Sequence, residues 1–130
     1  MTGVYSVAAE LSKRDYVALL TTRNTKSFDV VAVDEKSGAT AAIEVKTCGV
    51  STSDSFWLLG ERDCQKKPSN FLYVFVKLYK EKLPDFYVVP AHFVAANIQK
   101  DTASTGSVWY SIGKNQINVF KDKWDTLLQI

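Results

Sequence analysis

Two short β-forming segments joined by a turn constrain this chain most. Phe28 to Asp34 (Phe-Asp-Val-Val-Ala-Val-Asp) and Thr40 to Thr47 (Thr-Ala-Ala-Ile-Glu-Val-Lys-Thr) flank Glu35-Lys36-Ser37-Gly38 and read as a hairpin. Apolar residues on both strands, Val30 and Val31 on one and Ile43 and Val45 on the other, imply a sheet covered on two sides, with helices packed on each face. Phe71 to Leu78 is the strongest buried-strand signal, and Phe86 to Val89 is a further strand. With 46% hydrophobic residues in 130, the chain has enough apolar material for one domain, 1–130, with a core that needs neither disulfides nor a structural metal.

The remaining segments supply the helices. Val4, Val7, Ala8 and Leu11 recur at helical spacing, predicting a helix that ends near Asp15. Val17 to Leu20 reads as a short strand and Thr21 to Ser27 as a polar loop. Phe56 to Lys67 fits either a strand end or a short helix. Pro90 favours a helix start, so Ala91 to Gln99 is expected to be helical, Lys100 to Ser107 a loop and Val108 to Ile112 an edge strand. Phe120, Trp124, Leu127 and Leu128 predict a closing helix. The Trp and Tyr residues are expected in the core rather than as base-stacking platforms.

Composition excludes several kinds of chemistry. The longest apolar run, Phe71 to Val76, is too short to cross a bilayer, and the first residues lack a basic region followed by an apolar block, so the expected location is cytoplasmic, with no membrane partner. Cys48 and Cys64 fit no metal-ligand spacing and read as reduced thiols, while a single histidine, His92, argues against zinc sites and histidine-based triads. Chemistry therefore falls to carboxylates and lysines. A net charge of +2 does not by itself announce a nucleic-acid binder.

The hairpin brings such residues together. A loop at Lys36-Ser37 sets Asp29 opposite Glu44, and a loop at Ser37-Gly38 sets it opposite Lys46; either register puts Asp29, Glu44 and Lys46 on one face. Opposed Cβ atoms lie about 4.5–5.5 Å apart and diagonal ones about 7–8 Å, so both carboxylates are within reach of one Mg²⁺ ion. A half-buried pair of carboxylates gains little in a purely structural sheet, because repulsion and desolvation oppose it. Glu10 flanks the apolar stripe of the first helix and has two readings: a third acidic member leaning over the sheet end, or an ion-pair partner of Arg14.

Glu in the first helix, Asp at the head of one strand and Glu-x-Lys in the next form an ordered set that resembles the PD-(D/E)XK nuclease superfamily, which includes archaeal Holliday junction resolvases. The matching residues are Glu10 in Ala9-Glu10-Leu11, Asp29 in Phe28-Asp29-Val30-Val31-Ala32-Val33, and Glu44-Val45-Lys46-Thr47. Asn24-Thr25, Tyr73-Val74-Phe75-Val76 and Phe86-Tyr87-Val88-Val89-Pro90 are similar to small bacterial members. Phe28 stands where the superfamily's name has proline, and Lys77 where an acidic residue is expected in the nearest relatives.

The resemblance implies an α/β fold with a restriction-endonuclease-like core, a central mixed β-sheet with the first helix on one face and later helices on the other. It implies hydrolysis of DNA phosphodiester bonds, with Mg²⁺ as cofactor and Mn²⁺ able to substitute. Asp29, Glu44 and the Val45 carbonyl would hold the ion, Glu10 a second ion or a bound water, and Lys46 would orient the attacking water or neutralise charge on the scissile phosphate. Lys13, Arg14, Arg23 and Lys26 are candidates for phosphate contacts, and Lys66 and Lys67 extend that track unless the 61–67 cluster is an ordinary solvated face, the reading preferred here. Relatives of this size imply a homodimer, since two symmetric sites cut two strands. The alternatives are a nuclease-fold module without activity that binds nucleic acid or a protein partner, and a small interaction protein with incidental carboxylates.

Overall fold

The computed structural model describes residues 1–21, 28–50 and 56–129, and the side chains of residues 128 and 129 lie outside the description. The chain forms α1 (Thr2–Lys13), β1 (Tyr16–Leu20), β2 (Val30–Asp34), β3 (Thr40–Cys48), β4 (Phe56–Leu59), a 3-10 turn (Glu61–Cys64), β5 (Phe71–Lys77) and β6 (Asp85–Pro90). Then follow α2 (Ala91–Asn97), β7 (Gln99–Thr102), β8 (Val108–Gly113), α3 (Lys114–Ile117) and two 3-10 turns, Asn118–Phe120 and Trp124–Gln129.

Five strands make the central sheet in the order β1-β2-β3-β5-β6, antiparallel except for the parallel pair β3–β5. Parallel neighbours need a connection that passes over the sheet. Here that crossover carries β4 and the Glu61–Cys64 turn across one face, which brings residues far from the hairpin to the side of β3.

The two faces of the sheet carry separate cores. On the first, Val7 and Leu11 of α1 pack on Val30, Ala32, Ile43, Val45, Val74 and Val88, joined by Trp124 and Leu127. On the second, Trp57, Tyr73, Phe75, Tyr87, Val89, Val94, Ile112 and Ile117 pack together. β5 is buried from Phe71 to Val76, as its unbroken apolar run predicts. Helices pack on both faces as expected; on the second, α2 shares the cover with a three-stranded sheet, β4-β8-β7. Ile43 and Val45, two residues apart, point to the same face; the opposite face of β3 carries Glu44 and Lys46.

Several boundaries differ from the sequence reading for local reasons. The first helix stops at Lys13 because Asp15 takes a left-handed conformation, φ 65°, that turns the chain into β1. Phe56 to Lys67 resolves into both alternatives, a strand and then a 3-10 turn. β7 lies where a loop was expected; its four residues, Gln99 to Thr102, are all exposed and show no alternation, so only pairing with β8 makes them a strand. The expected closing helix is broken at Asp122, φ 55°, whose N–H donates to the Phe86 carbonyl. Phe120 consequently packs on Phe93 at the second core while Trp124 and Leu127 enter the first. Leu128, the fourth member of that stripe, has its side chain outside the described residues. Trp57 and Trp124 are buried as expected, but Trp109 is exposed on β8.

Gly3 marks a close approach between α1 and β3, since a Cβ there would overlap the Thr47 hydroxyl. Gly3→Ala is therefore expected to destabilise the fold by about 1–3 kcal/mol through overpacking. Urea melts read this directly, and the double variant Gly3→Ala/Thr47→Ala should recover part of the loss.

Candidate active site

The hairpin register sets Val30 opposite Ile43 and Ala32 opposite Ala41. This is one of the two registers allowed by the sequence, but the connection is four residues, Glu35 to Gly38, closed by Asp34 N–H to the Ala39 carbonyl at 2.9 Å. The Asp34 carboxylate accepts the Lys36 and Ser37 N–H groups, and Gly38 has φ 75°, which a residue without Cβ adopts freely.

Continued by one position, the register would pair Asp29 with Glu44, but the backbone departs from it there. The Asp29 N–H donates to the Ile43 carbonyl at 2.8 Å, and the Asp29 carboxylate accepts the Val45 N–H at 2.8 Å. β2 and β3 thus separate where Asp29 stands, with a side chain replacing a rung of the ladder. This splayed end sets Asp29 beside Glu44.

Glu44 is 6% exposed and has Tyr73 of β5 as its lateral neighbour. Its Oε1 receives Lys46 Nζ at 3.3 Å and Arg62 Nη2 at 2.9 Å. Burial pushes its carboxyl above the ordinary value; Lys46 and Arg62 pull it down, and the charge of Asp29 adds to the rise. A raised folded-state value means that Glu44 favours folding below its ordinary pKa and that this contribution is lost as pH rises through the folded value. Glu44→Gln is therefore expected to gain melting temperature relative to wild type as pH rises above the ordinary carboxylate range in metal-free buffer. A difference that does not change with pH would count against a Glu44 carboxyl pushed upward by burial.

Beside this pair lie two groups that the sequence reading assigned to a solvated face. Asp63 is 2% exposed, which corrects that reading. Its Oδ2 accepts the Gly60 N–H at 2.7 Å and lies 3.7 Å from Lys46 Nζ, and its Oδ1 accepts the Tyr73 hydroxyl. Burial first, then the bond to Asp63, push the Tyr73 phenol upward and keep it a donor. Arg62, one residue earlier, spans back to Glu44. Nothing in the local pattern Glu-Arg-Asp-Cys marked these residues; the only available signal was the need for a crossover between β3 and β5.

The other sequence candidates are placed elsewhere. Glu10 pairs with Lys13 at 3.2 Å and Arg14 at 2.8 Å, and α1 packs on the first face, across the sheet from Glu44 and Lys46. Of its two sequence readings the Arg14 ion pair is present. Lys13 and Arg14 lie on that same helix end, and the Arg14 guanidinium also sits over the Trp124 ring at 4.9 Å. Arg23 and Lys26, with Asn24 and Thr25, lie outside the described residues. Lys77 donates to the Gly49 carbonyl. Both cysteines are free thiols, Cys48 buried and Cys64 partly so, and His92 is exposed on α2.

Among the described residues no three His, Cys, Asp or Glu side chains converge as a metal-binding group. The Asp29–Glu44 pair nevertheless fits a hard divalent cation by the chemistry of its donors. Both are carboxylates, one is buried, and the charge of the first disfavours ionisation of the second. Mg²⁺ typically takes one or two carboxylates and completes its shell with water and phosphate oxygens.

Comparison with solved structures identifies the fold as restriction-endonuclease-like. The bacterial homing endonuclease I-Ssp6803I is similar over 98% of this chain and 87% of its own, with TM-score 0.61 and 18% identity. Hjc from Archaeoglobus fulgidus, a Holliday junction resolvase, is similar over 91% of this chain and 86% of its own, with TM-score 0.55 and 12% identity. No family model matches the sequence, and no curated protein matches it. Among the described residues no helix is long and apolar enough to cross a membrane.

Proposed function

We propose that this chain is a metal-dependent endonuclease that hydrolyses phosphodiester bonds in DNA, with Mg²⁺ as cofactor and Mn²⁺ able to substitute. The observation that carries the reading is the gathering of Asp29, Glu44 and Lys46 at the splayed end of β2 and β3, in a fold shared with two nucleases. A purely structural sheet gains little from a buried carboxylate next to a second one.

Asp29 and Glu44, with the Val45 carbonyl, would hold the cation, which supplies Lewis acidity toward a phosphate oxygen and a more acidic bound water. Lys46 works beside them. Its ammonium, held between Glu44 and Asp63, is positioned to orient the attacking water or to offset charge developing on the scissile phosphate. Asp29 keeps its second role as acceptor for Val45 N–H, which fixes its carboxylate relative to β3.

Lys66 and Lys67 support the grip on nucleic acid. With Ser69 and His92 they rim a groove of about 570 Å³ floored by Ala91, Ala95 and Ala96, and Lys67 Nζ donates to the Arg62 carbonyl at 3.0 Å. Backbone phosphates would meet positive charge there. Two cuts in a duplex or junction need two sites, so the active species proposed is a homodimer; β1, which among the described strands pairs only with β2 and exposes Val17 and Leu19, is an open edge available for it.

The test is cleavage of labelled duplex, single-stranded and four-way-junction DNA with Mg²⁺ or Mn²⁺. Metal-dependent cutting supports the enzyme, and the preferred substrate names its class. Binding without cutting supports the second reading, an inactive nuclease-fold module, which the ion pairs already occupying Glu44 favour.

A further inference from the structure

Two cations converge on one oxygen of a buried carboxylate, and their surroundings differ. Lys46 is 21% exposed and has a second anion, Asp63, whose own position is fixed by the Gly60 N–H and the Tyr73 hydroxyl. Arg62 stands on the 3-10 turn at the mouth of the site, with half of its side chain exposed and its guanidinium 2.9 Å from Glu44 Oε1. A divalent cation bound by Glu44 would add two positive charges where two already sit. Repulsion of that size displaces the more exposed of the two cations, and that is Arg62, whose side chain is 50% exposed against 21% for Lys46.

We propose that Arg62 exchanges partners: it neutralises Glu44 in the metal-free protein, and when a divalent cation takes Glu44 its guanidinium turns to a backbone phosphate of the bound nucleic acid. This inference rests on the nuclease reading above. A planar guanidinium carries two parallel donors that match two phosphate oxygens, and it keeps its charge whatever its surroundings. The exchange is confined to the side chain, because the turn that carries Arg62 is anchored by Asp63 and by the bond between Lys67 and the Arg62 carbonyl. The resting ion pair also keeps a buried carboxylate compensated until the cation arrives.

The experiment separates the two partners. Mn²⁺ binding without nucleic acid, read by calorimetry, should tighten by about 3–10-fold in Arg62→Gln, because a competing cation has been removed from the ligand. DNA affinity with Mn²⁺ present, read by anisotropy in the Lys46→Ala background so that the strand stays whole, should weaken in Arg62→Gln. The slope of log affinity against log salt should also fall by about one. Arg62→Lys should retain the salt slope and lose part of the affinity. Unchanged or weaker Mn²⁺ binding in Arg62→Gln, or an unchanged salt slope, overturns the exchange while leaving the nuclease reading in place. A wild type that binds neither Mn²⁺ nor DNA overturns both.

Discussion

Lys46→Ala is expected to lower metal-dependent DNA cleavage by at least about 10²-fold, the usual loss when an electrostatic group is removed from a transition state. DNA binding and folding should change little. The ammonium is partly exposed, and its two partners retain others: Glu44 keeps Arg62, and Asp63 keeps Gly60 N–H and the Tyr73 hydroxyl. The informative comparison is with Asp29→Asn, which preserves an acceptor for Val45 N–H while removing the charge. That variant should lose cleavage and bind Mn²⁺ more weakly, whereas Asp29→Ala additionally leaves a strand N–H without its acceptor, at a cost of about 1–3 kcal/mol. Single-turnover cleavage with nuclease-free preparations separates these effects. Wild-type rates in Lys46→Ala would remove Lys46 from the chemistry.

The largest stability effect is expected at Asp63. Replacing it with alanine strips the acceptor from Gly60 N–H and from the Tyr73 hydroxyl, and takes away an anion beside Lys46, all at a position 2% exposed. Breaking a buried charged network by removing one partner costs about 3–5 kcal/mol. Asp63→Asn keeps one acceptor and should lose less, and Tyr73→Phe, which leaves Asp63 its other bonds, less again. Urea melts rank the three. A loss below about 1 kcal/mol in Asp63→Ala, the level of an exposed ion pair, would mean that the turn does not hold the network described.

The Asp63 case also marks the limit of sequence reading. Glu61, Arg62 and Asp63 form a local pattern indistinguishable from a solvated charged turn. Asp63 is buried only because the crossover between parallel β3 and β5 must run over the sheet and comes to rest on Tyr73 and Glu44. Glu10 went the other way. Its place beside the apolar stripe of α1 suited a role at the sheet end, and its i, i+4 relation to Arg14 suited an ion pair; the ion pair forms, as local spacing alone could foresee.

Strand content was legible wherever burial left a mark. The apolar run of β5, the hairpin of β2 and β3, and the side-chain parity that puts Glu44 and Lys46 on one face all follow from a period of two and from turn chemistry, which are local. β7 left no such mark, because a fully exposed strand has no hydrophobic alternation. The closing stripe of Phe120, Trp124 and Leu127 kept helical spacing yet divides between two cores, since the left-handed Asp122 breaks it.

By itself, then, the sequence determined the hairpin, the buried centre of the sheet, and the Asp29, Glu44 and Lys46 set, all of them consequences of neighbours within a few residues or across one turn. Tertiary structure decided that β2 and β3 part at Asp29 and that Arg62 and Asp63 close on Glu44 and Lys46. The physical reason is the same in each case: these outcomes depend on how a long crossover and the strands of the sheet find their lowest free energy together, and no local spacing encodes that balance.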